Sequence, residues 1–201
     1  RDLNEIEIEG KDYLADRVDV KTKKFEEPIS YSITDIASLT AKILGISFGE
    51  KETTFDVSSY SSVERVVWFF LDGFGYDGFR YAEKEGLIPN LVNLGKLYPA
   101  FTIYPPQTNT ATAALLSGLD SLQNGVLKGG VRSLSVPSIL DAVSGAGKSV
   151  SIVEGSSTPF NYPNMKVTLS GDRNSNGSTD DEVFAHAQQV ITTELPSLLF
   201  I

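Results

Sequence analysis

The apolar run Val66-Val67-Trp68-Phe69-Phe70-Leu71 stops abruptly at Asp72-Gly73, and no other stretch constrains the fold as strongly. Residues of this kind favour an extended strand, and a run without polar alternation reads as a strand buried on both faces, as in a parallel sheet covered by helices. Ending such a strand in a carboxylate carries the acid to the C-terminal edge of the sheet, where the ligand sites of open α/β folds lie. An Asp-Gly turn after a strand is also common for conformational reasons alone.

From residue 63 onward, strand and helix signals alternate, the mark of an α/β fold. Val66 to Leu71 reads as the first core strand. Short helices follow at Asp77 to Glu85, stopped by Gly86, and from Pro89-Asn90-Leu91 to about Leu97. Ala100 to Tyr104 reads as a strand, Thr110 to Gly118 as a small-residue helix, Val136 to Val143 as a helix and Ser149 to Glu154 as a strand. Residues 155–181 read as loop, Asp181 to Glu194 as a helix, and Leu198 to Ile201 as the start of an apolar strand. Because that strand belongs to a core, the chain reads as part of a larger domain.

Before residue 63 the pattern differs. Residues 1–30 are charge-rich, with alternation at Ile6, Ile8, Val18 and Val20 that suggests short strands ending at Pro28. Ser32-Ile33-Thr34-Asp35 opens a helix whose Ile36, Leu39, Ile43 and Leu44 share a face, with Gly45 as its C-cap. Residues 46–62 read as a linker. The expected organisation is an N-terminal appendage at 1–62 and a main α/β domain at 63–201.

The formal charge of −9 argues against nonspecific nucleic-acid binding, which needs basic surface to release counterions. No uncharged apolar stretch is long enough to span a bilayer. An acidic chain can still act on anionic esters where bound metal reverses the local field. The absence of cysteine excludes disulfides and thiolate chemistry without fixing the compartment, for which the cytoplasm is the working expectation. The first residue is Arg1, so an earlier segment, a signal peptide included, stays open.

Chemistry concentrates in two places. Asp72 is a hard carboxylate suited to Zn, Mg or Mn. Behind the rigid Pro105-Pro106 turn comes the cluster Thr108-Asn109-Thr110-Ala111-Thr112. Thr108, Asn109 or Thr110 could each cap the following helix, and spacing alone does not say which hydroxyl reacts. A hydroxyl at a helix N-terminus meets free N–H groups and a dipole that favour an incoming phosphate. It still needs a base or a metal to ionise, and no histidine lies nearby.

Taken in order, Asp72-Gly73, Pro89-Asn90-Leu91, Tyr104-Pro-Pro-Gln-Thr108, and Leu115-Leu-Ser-Gly118 to Gly125-Val126 resemble the type I phosphodiesterase/nucleotide pyrophosphatase branch of the alkaline phosphatase superfamily. The resemblance covers about residues 63–201. It implies an alkaline-phosphatase-like core, a mostly parallel sheet flanked by helices, here incomplete. It implies two divalent metals, zinc first and manganese or magnesium as alternatives, with Asp72 as a ligand and Thr108 as both ligand and nucleophile. The substrate would be a small-molecule phosphate diester or monoester. Asn109 and Thr110 would be neighbours shaping the site, with Asn109 and the Gly129 position toward the substrate.

The chain departs from this pattern at named positions. Asn124-Gly125 stands where His-Gly is common, and Gly129 falls where nucleotide-cleaving relatives hold a phosphate oxygen with an asparagine. The amides of Gly129 and Gly130, or Lys128 and Arg132, could substitute. The remaining metal ligands of the resemblance come from Asp and His motifs after a strand like Leu198 to Ile201. The missing C-terminal half of the domain is therefore expected to be required, and the 201-residue chain inactive alone. The single histidine, His186, reads as a surface or packing residue. A phosphomutase of the same superfamily and a catalytically incomplete binding module are the competing readings.

Two further stretches resemble ligand motifs. Asp172, Asn174, Asn176, Gly177 and Asp180 have the spacing of an EF-hand-like calcium loop, yet the twelfth position is Val183 instead of the bidentate acid. Gly145-Ala-Gly147-Lys148-Ser149 mimics a phosphate loop, but the order is helix then strand, so it reads as a helix end.

Overall fold

A computed structural model describes residues 30–50, 53, 55–57 and 63–201. The short strands expected around Ile6 to Val20 and the break at Pro28 lie outside the described residues. Residues 31–201 form one compact unit with an α/β architecture of parallel sheets flanked by helices.

The unit opens with β1 (Tyr31–Ser32) and α1 (Asp35–Leu44), the latter ended by Gly45 in the left-handed region at φ 67°. Gly45 therefore caps the helix as its position predicts. The buried face differs from expectation. Ala37, Ser38, Ala41 and Leu44 are buried, while Ile36 and Ile43 are only half-buried. The reason is close approach: α1 packs on a second small-residue helix, α4 (Thr108–Ser117), and Ala37 stands 3.4 Å from where a Cβ on Gly118 would lie. α1 is thus part of the same core as the strands, and the compact unit begins at Tyr31, not at residue 63.

The main sheet has four strands. β2 (Val66–Trp68) is followed by α2 (Tyr76–Lys84), α3 (Pro89–Val92) and β3 (Ala100–Phe101), which pairs with β1 in a separate two-stranded sheet. α3 is one turn where the sequence suggested a helix to Leu97. Then come α4 (Thr108–Ser117), α5 (Ser121–Asn124), α6 (Ile139–Gly145) and β4 (Val150–Gly155). β5 (Lys166–Ser170) lies inside the stretch expected to be loop, and α7 (Asp180–Thr193) and β6 (Leu198–Phe200) complete the unit.

The order is β2-β6-β4-β5, every pair parallel. All strands therefore deliver their C-terminal ends to one edge. The register sets Trp68 beside Phe200 and Phe200 beside Ile152, so even-numbered residues of β2, β4 and β6 share a face. That face packs on α1, α4 and α6 through Trp68, Leu115, Leu116, Ile139, Val143 and Phe200. Trp68 Nε1 donates to Thr40 Oγ1 at 3.0 Å, satisfying the one polar group it carries into the core. The opposite face is covered by α7, with Ala187 and Val190 against Val153 and Leu199.

One expectation is corrected here. The 66–71 run is not buried on both faces, because β2 is an edge strand of the sheet. Val67, Phe69 and Leu71 are 42%, 59% and 51% exposed, since α7 reaches β4 and β5 and leaves β2 open on that side. No helix among the described residues is long and apolar enough to cross a membrane.

Candidate active site

The C-terminal edge of the sheet bounds a cleft of about 780 Å³. Asp72 reaches it from the end of β2, Glu154 from the end of β4, Thr108 and Asn109 from the start of α4, Asp180 from the start of α7, and Arg132 from the loop before α6. The cleft therefore forms where the parallel topology predicts, outside the carboxyl ends of the strands.

Asp72 and Thr108 meet. The Thr108 hydroxyl donates to the Asp72 carboxylate at 3.2 Å to Oδ2 and 3.4 Å to Oδ1. Two positions 36 residues apart are joined because one ends a strand and the other begins a helix packed on the same sheet face. Gly73, at φ 70°, turns the chain away directly after the carboxylate.

The neighbouring hydroxyls are separated by their partners. Gln107 is the N-cap of α4, so none of the three expected candidates fills that position. Thr110 is fully buried and turns its hydroxyl to the carbonyls of Pro105 and Gln107, the latter at 2.9 Å. Its oxygen also accepts from the Gln107 N–H at 3.2 Å. Thr112 is fully buried in the core. Only Thr108 presents its hydroxyl to both the cleft and a carboxylate.

Asn109 lines the cleft, yet its amide nitrogen donates to the carbonyls of Pro159 at 2.7 Å and Val131 at 3.1 Å. It therefore ties two loops to α4. Gly129 is not in the cleft wall, and its N–H donates to Gln107 Oε1 at 2.5 Å. Asn124 is fully buried, donating to the Leu119 carbonyl and accepting from the Val126 N–H, which makes it a turn-holding residue. Of the two expected basic side chains, Arg132 joins the cleft lining and Lys128 does not.

Glu154 was not singled out from sequence, although its signal matches that of Asp72: a run of apolar residues from Val150 to Val153 broken only by Ser151 and ended by an acid. Tyr162 donates to its Oε1 at 2.6 Å, while Oε2 is buried and has no hydrogen-bond partner. Burial raises the Glu154 carboxyl above its usual 4.5 despite the opposing hydrogen bond from Tyr162. Burial, and then the Glu154 charge, push the Tyr162 hydroxyl upward as well.

Of the remaining expected residues, only Asp180 lines the cleft. His186 is hydrogen-bonded through Nδ1 to buried Ser170 at 2.7 Å, tying α7 to β5. In the 172–182 loop, Asp172 accepts from the N–H groups of Asn176 and Gly177, and Asn174 and Asn176 both donate to Asp181. Glu182, one position before Val183, accepts from the N–H groups of Arg173 and Asn174. The loop is closed by its own hydrogen bonds, and Asp180 turns from it to head α7. Among the described residues, no three of His, Cys, Asp and Glu gather as a metal would require.

No protein-family model, no curated protein and no solved structure matches this chain.

Proposed function

We propose that the cleft is the nucleophile half of a metal-dependent phosphate-ester hydrolase site, built as in the type I phosphodiesterase branch of the alkaline phosphatase superfamily. The observation that carries this reading is the Thr108 hydroxyl on the Asp72 carboxylate, at the strand-end edge of a parallel sheet and at a helix N-terminus. An acid that only closes a turn does not need a hydroxyl partner brought from 36 residues away.

The chemistry of the pair is direct. Thr108 Oγ1 attacks phosphorus in line, the Oγ1–P bond forms, and the bond from phosphorus to the departing alcohol oxygen breaks with its electron pair. In this reading Asp72 orients the hydroxyl and takes its proton, which passes to the departing alcohol oxygen. The free N–H groups at the start of α4 and the Arg132 side chain favour the phosphate oxygens in the cleft. Water then displaces the threonine oxygen and restores the hydroxyl.

A divalent cation would ionise the hydroxyl near neutral pH. Asp72 and Thr108 fit two ligand positions of one such ion, both hard oxygens. The described residues supply no third acid or histidine to that pair and no second cluster, so no step is derived through a metal. Under this reading the other ligands come from the missing C-terminal half that the resemblance implies. The same two-ligand set favours one alternative, a module that keeps the fold and binds a phosphate ester without turning it over.

Hydrolysis of bis-p-nitrophenyl phosphate and metal content separate the two readings, measured on the full-length protein beside Thr108→Ala. Metal-dependent turnover lost in the variant supports the hydrolase. Folded protein that takes up neither zinc nor manganese and shows no turnover leaves the binding module.

A further inference from the structure

We infer that an apolar groove beside the cleft seats the alcohol portion of the substrate, so that the site takes phosphate esters of apolar alcohols. The inference rests on the reading of Thr108 as the phosphate end of the site.

The groove, of about 490 Å³, lies between α6, β5 and the loop that precedes β5. Leu134, Val136, Tyr162, Met165 and Val167 line it and are half-buried, and Leu169 in the same lining is 52% exposed. Its size and its mainly apolar walls are those of a small-molecule pocket. Among the described residues, the one charged side chain in the lining is Asp141. Ser138 occupies that carboxylate, donating from its hydroxyl at 2.6 Å and from its N–H at 3.0 Å. With no cation in its lining, the groove suits a hydrocarbon and not the phosphate itself.

Three contacts join the groove to the cleft. Thr158 lines both. Tyr162, on the groove side, donates to Glu154, on the cleft side, at 2.6 Å. Leu169 is the register partner of Glu154 on the adjacent strand, roughly 5 Å away, and so lies on the same sheet face. The loop that carries Thr158 is itself fastened beside Thr108. Asn109, the next residue after Thr108, donates to the Pro159 carbonyl at 2.7 Å. An ester with its phosphorus at Thr108 therefore has the groove just across Thr158. Each methylene moved from water into that lining favours binding, which makes chain length the quantity to vary.

Methylphosphonate and octylphosphonate serve as probes, because their carbon–phosphorus bond is not cleaved by an ester hydrolase. Calorimetric titration of the full-length protein in zinc-containing buffer, at octyl concentrations too low for micelles, tests the inference. The wild type is expected to bind octylphosphonate at least about tenfold more tightly than methylphosphonate. Met165→Trp, which fills the groove, and Leu169→Lys, which puts a charge at its exposed leucine, should each remove that preference. Both should hold methylphosphonate as the wild type does. Circular dichroism melting establishes that each variant is folded. Equal affinity for the two probes in the wild type, or a preference that survives in both variants, overturns the inference alone. Neither probe binding to the wild type overturns the Thr108 site and the inference with it.

Discussion

Three threonines stand within five residues at the start of α4, and what separates them is the partner each finds rather than its position along the chain. Thr110 is locked between the Pro105 and Gln107 carbonyls, and its oxygen caps the Gln107 N–H. Removing that hydroxyl leaves buried polar groups unpaired. Thr110→Val should therefore cost roughly 1–3 kcal/mol in denaturant unfolding, with turnover per folded molecule nearly unchanged. Thr108 should behave oppositely, losing turnover with a stability change within about 0.5 kcal/mol, because its hydroxyl is outside the core. A melt and a rate on the same two variants check both statements. Glu154 yields a second test at this scale. Its folded pKa lies above the ordinary 4.5, so the neutral form is the one the fold tolerates. The stability linked to it is fully present below the unfolded value and is lost as pH rises through the folded one. Glu154→Gln should hence be more stable than the wild type at neutral pH. The two unfolding curves should converge on acidification below the ordinary glutamate value. A gap that stays constant from pH 4 to 8 would assign the difference to packing instead.

Among the elements, those with local punctuation were legible and those fixed by distant partners were not. α1 was readable because Asp35 opens it and Gly45 closes it, both signals within the helix's own span. Its buried face was not, since Ala37 and Ala41 are chosen by the approach of α4, with no trace in α1 itself. β2 was readable as a strand, but its place at the sheet edge depends on β6, more than 130 positions downstream. Asp72 and Thr108 were legible as residues, and only the fold pairs them. Glu154 is not legible from sequence, because Ser151 interrupts its run and because β5, hidden in a polar stretch, is what makes β4 an interior strand. One contact between elements makes a sharp prediction. A Cβ on Gly155, at the end of β4, would lie 2.6 Å from Thr179 Oγ1 at the head of α7. The threonine side chain makes no cap hydrogen bond, so its loss is cheap. Gly155→Ala should destabilise by about 1–3 kcal/mol through overpacking, and adding Thr179→Ala should restore most of that. Additive losses in the double variant would mean that the backbone at Gly155, not the contact, sets the requirement.

For the whole molecule, the question is where the folding unit begins. The change from charge-rich, loop-like sequence to strand–helix alternation marks residue 63, yet the core does not respect that mark. Ala37, Ala41 and Leu44 are buried in the same cluster as Trp68, Leu116, Ile139 and Phe200. The Thr40 hydroxyl is the hydrogen-bond acceptor for the Trp68 indole, so α1 satisfies the strand that leads to Asp72. Removing α1 would uncover the small-residue face of α4, open Trp68 to water on its packed side and leave its N–H without its partner. The indole stacks edge-on against Phe200 at 5.8 Å, so the disturbance would pass from β2 into β6. A chain running from Tyr31 to Ile201 should retain the cooperative unfolding of the full sequence, because that span is one compact unit. A chain starting at Val63 should bind hydrophobic dye, lose near-ultraviolet circular dichroism and melt without a sharp transition. Matching melts for both would mean that α1 only rests on the core, and would return the boundary to residue 63.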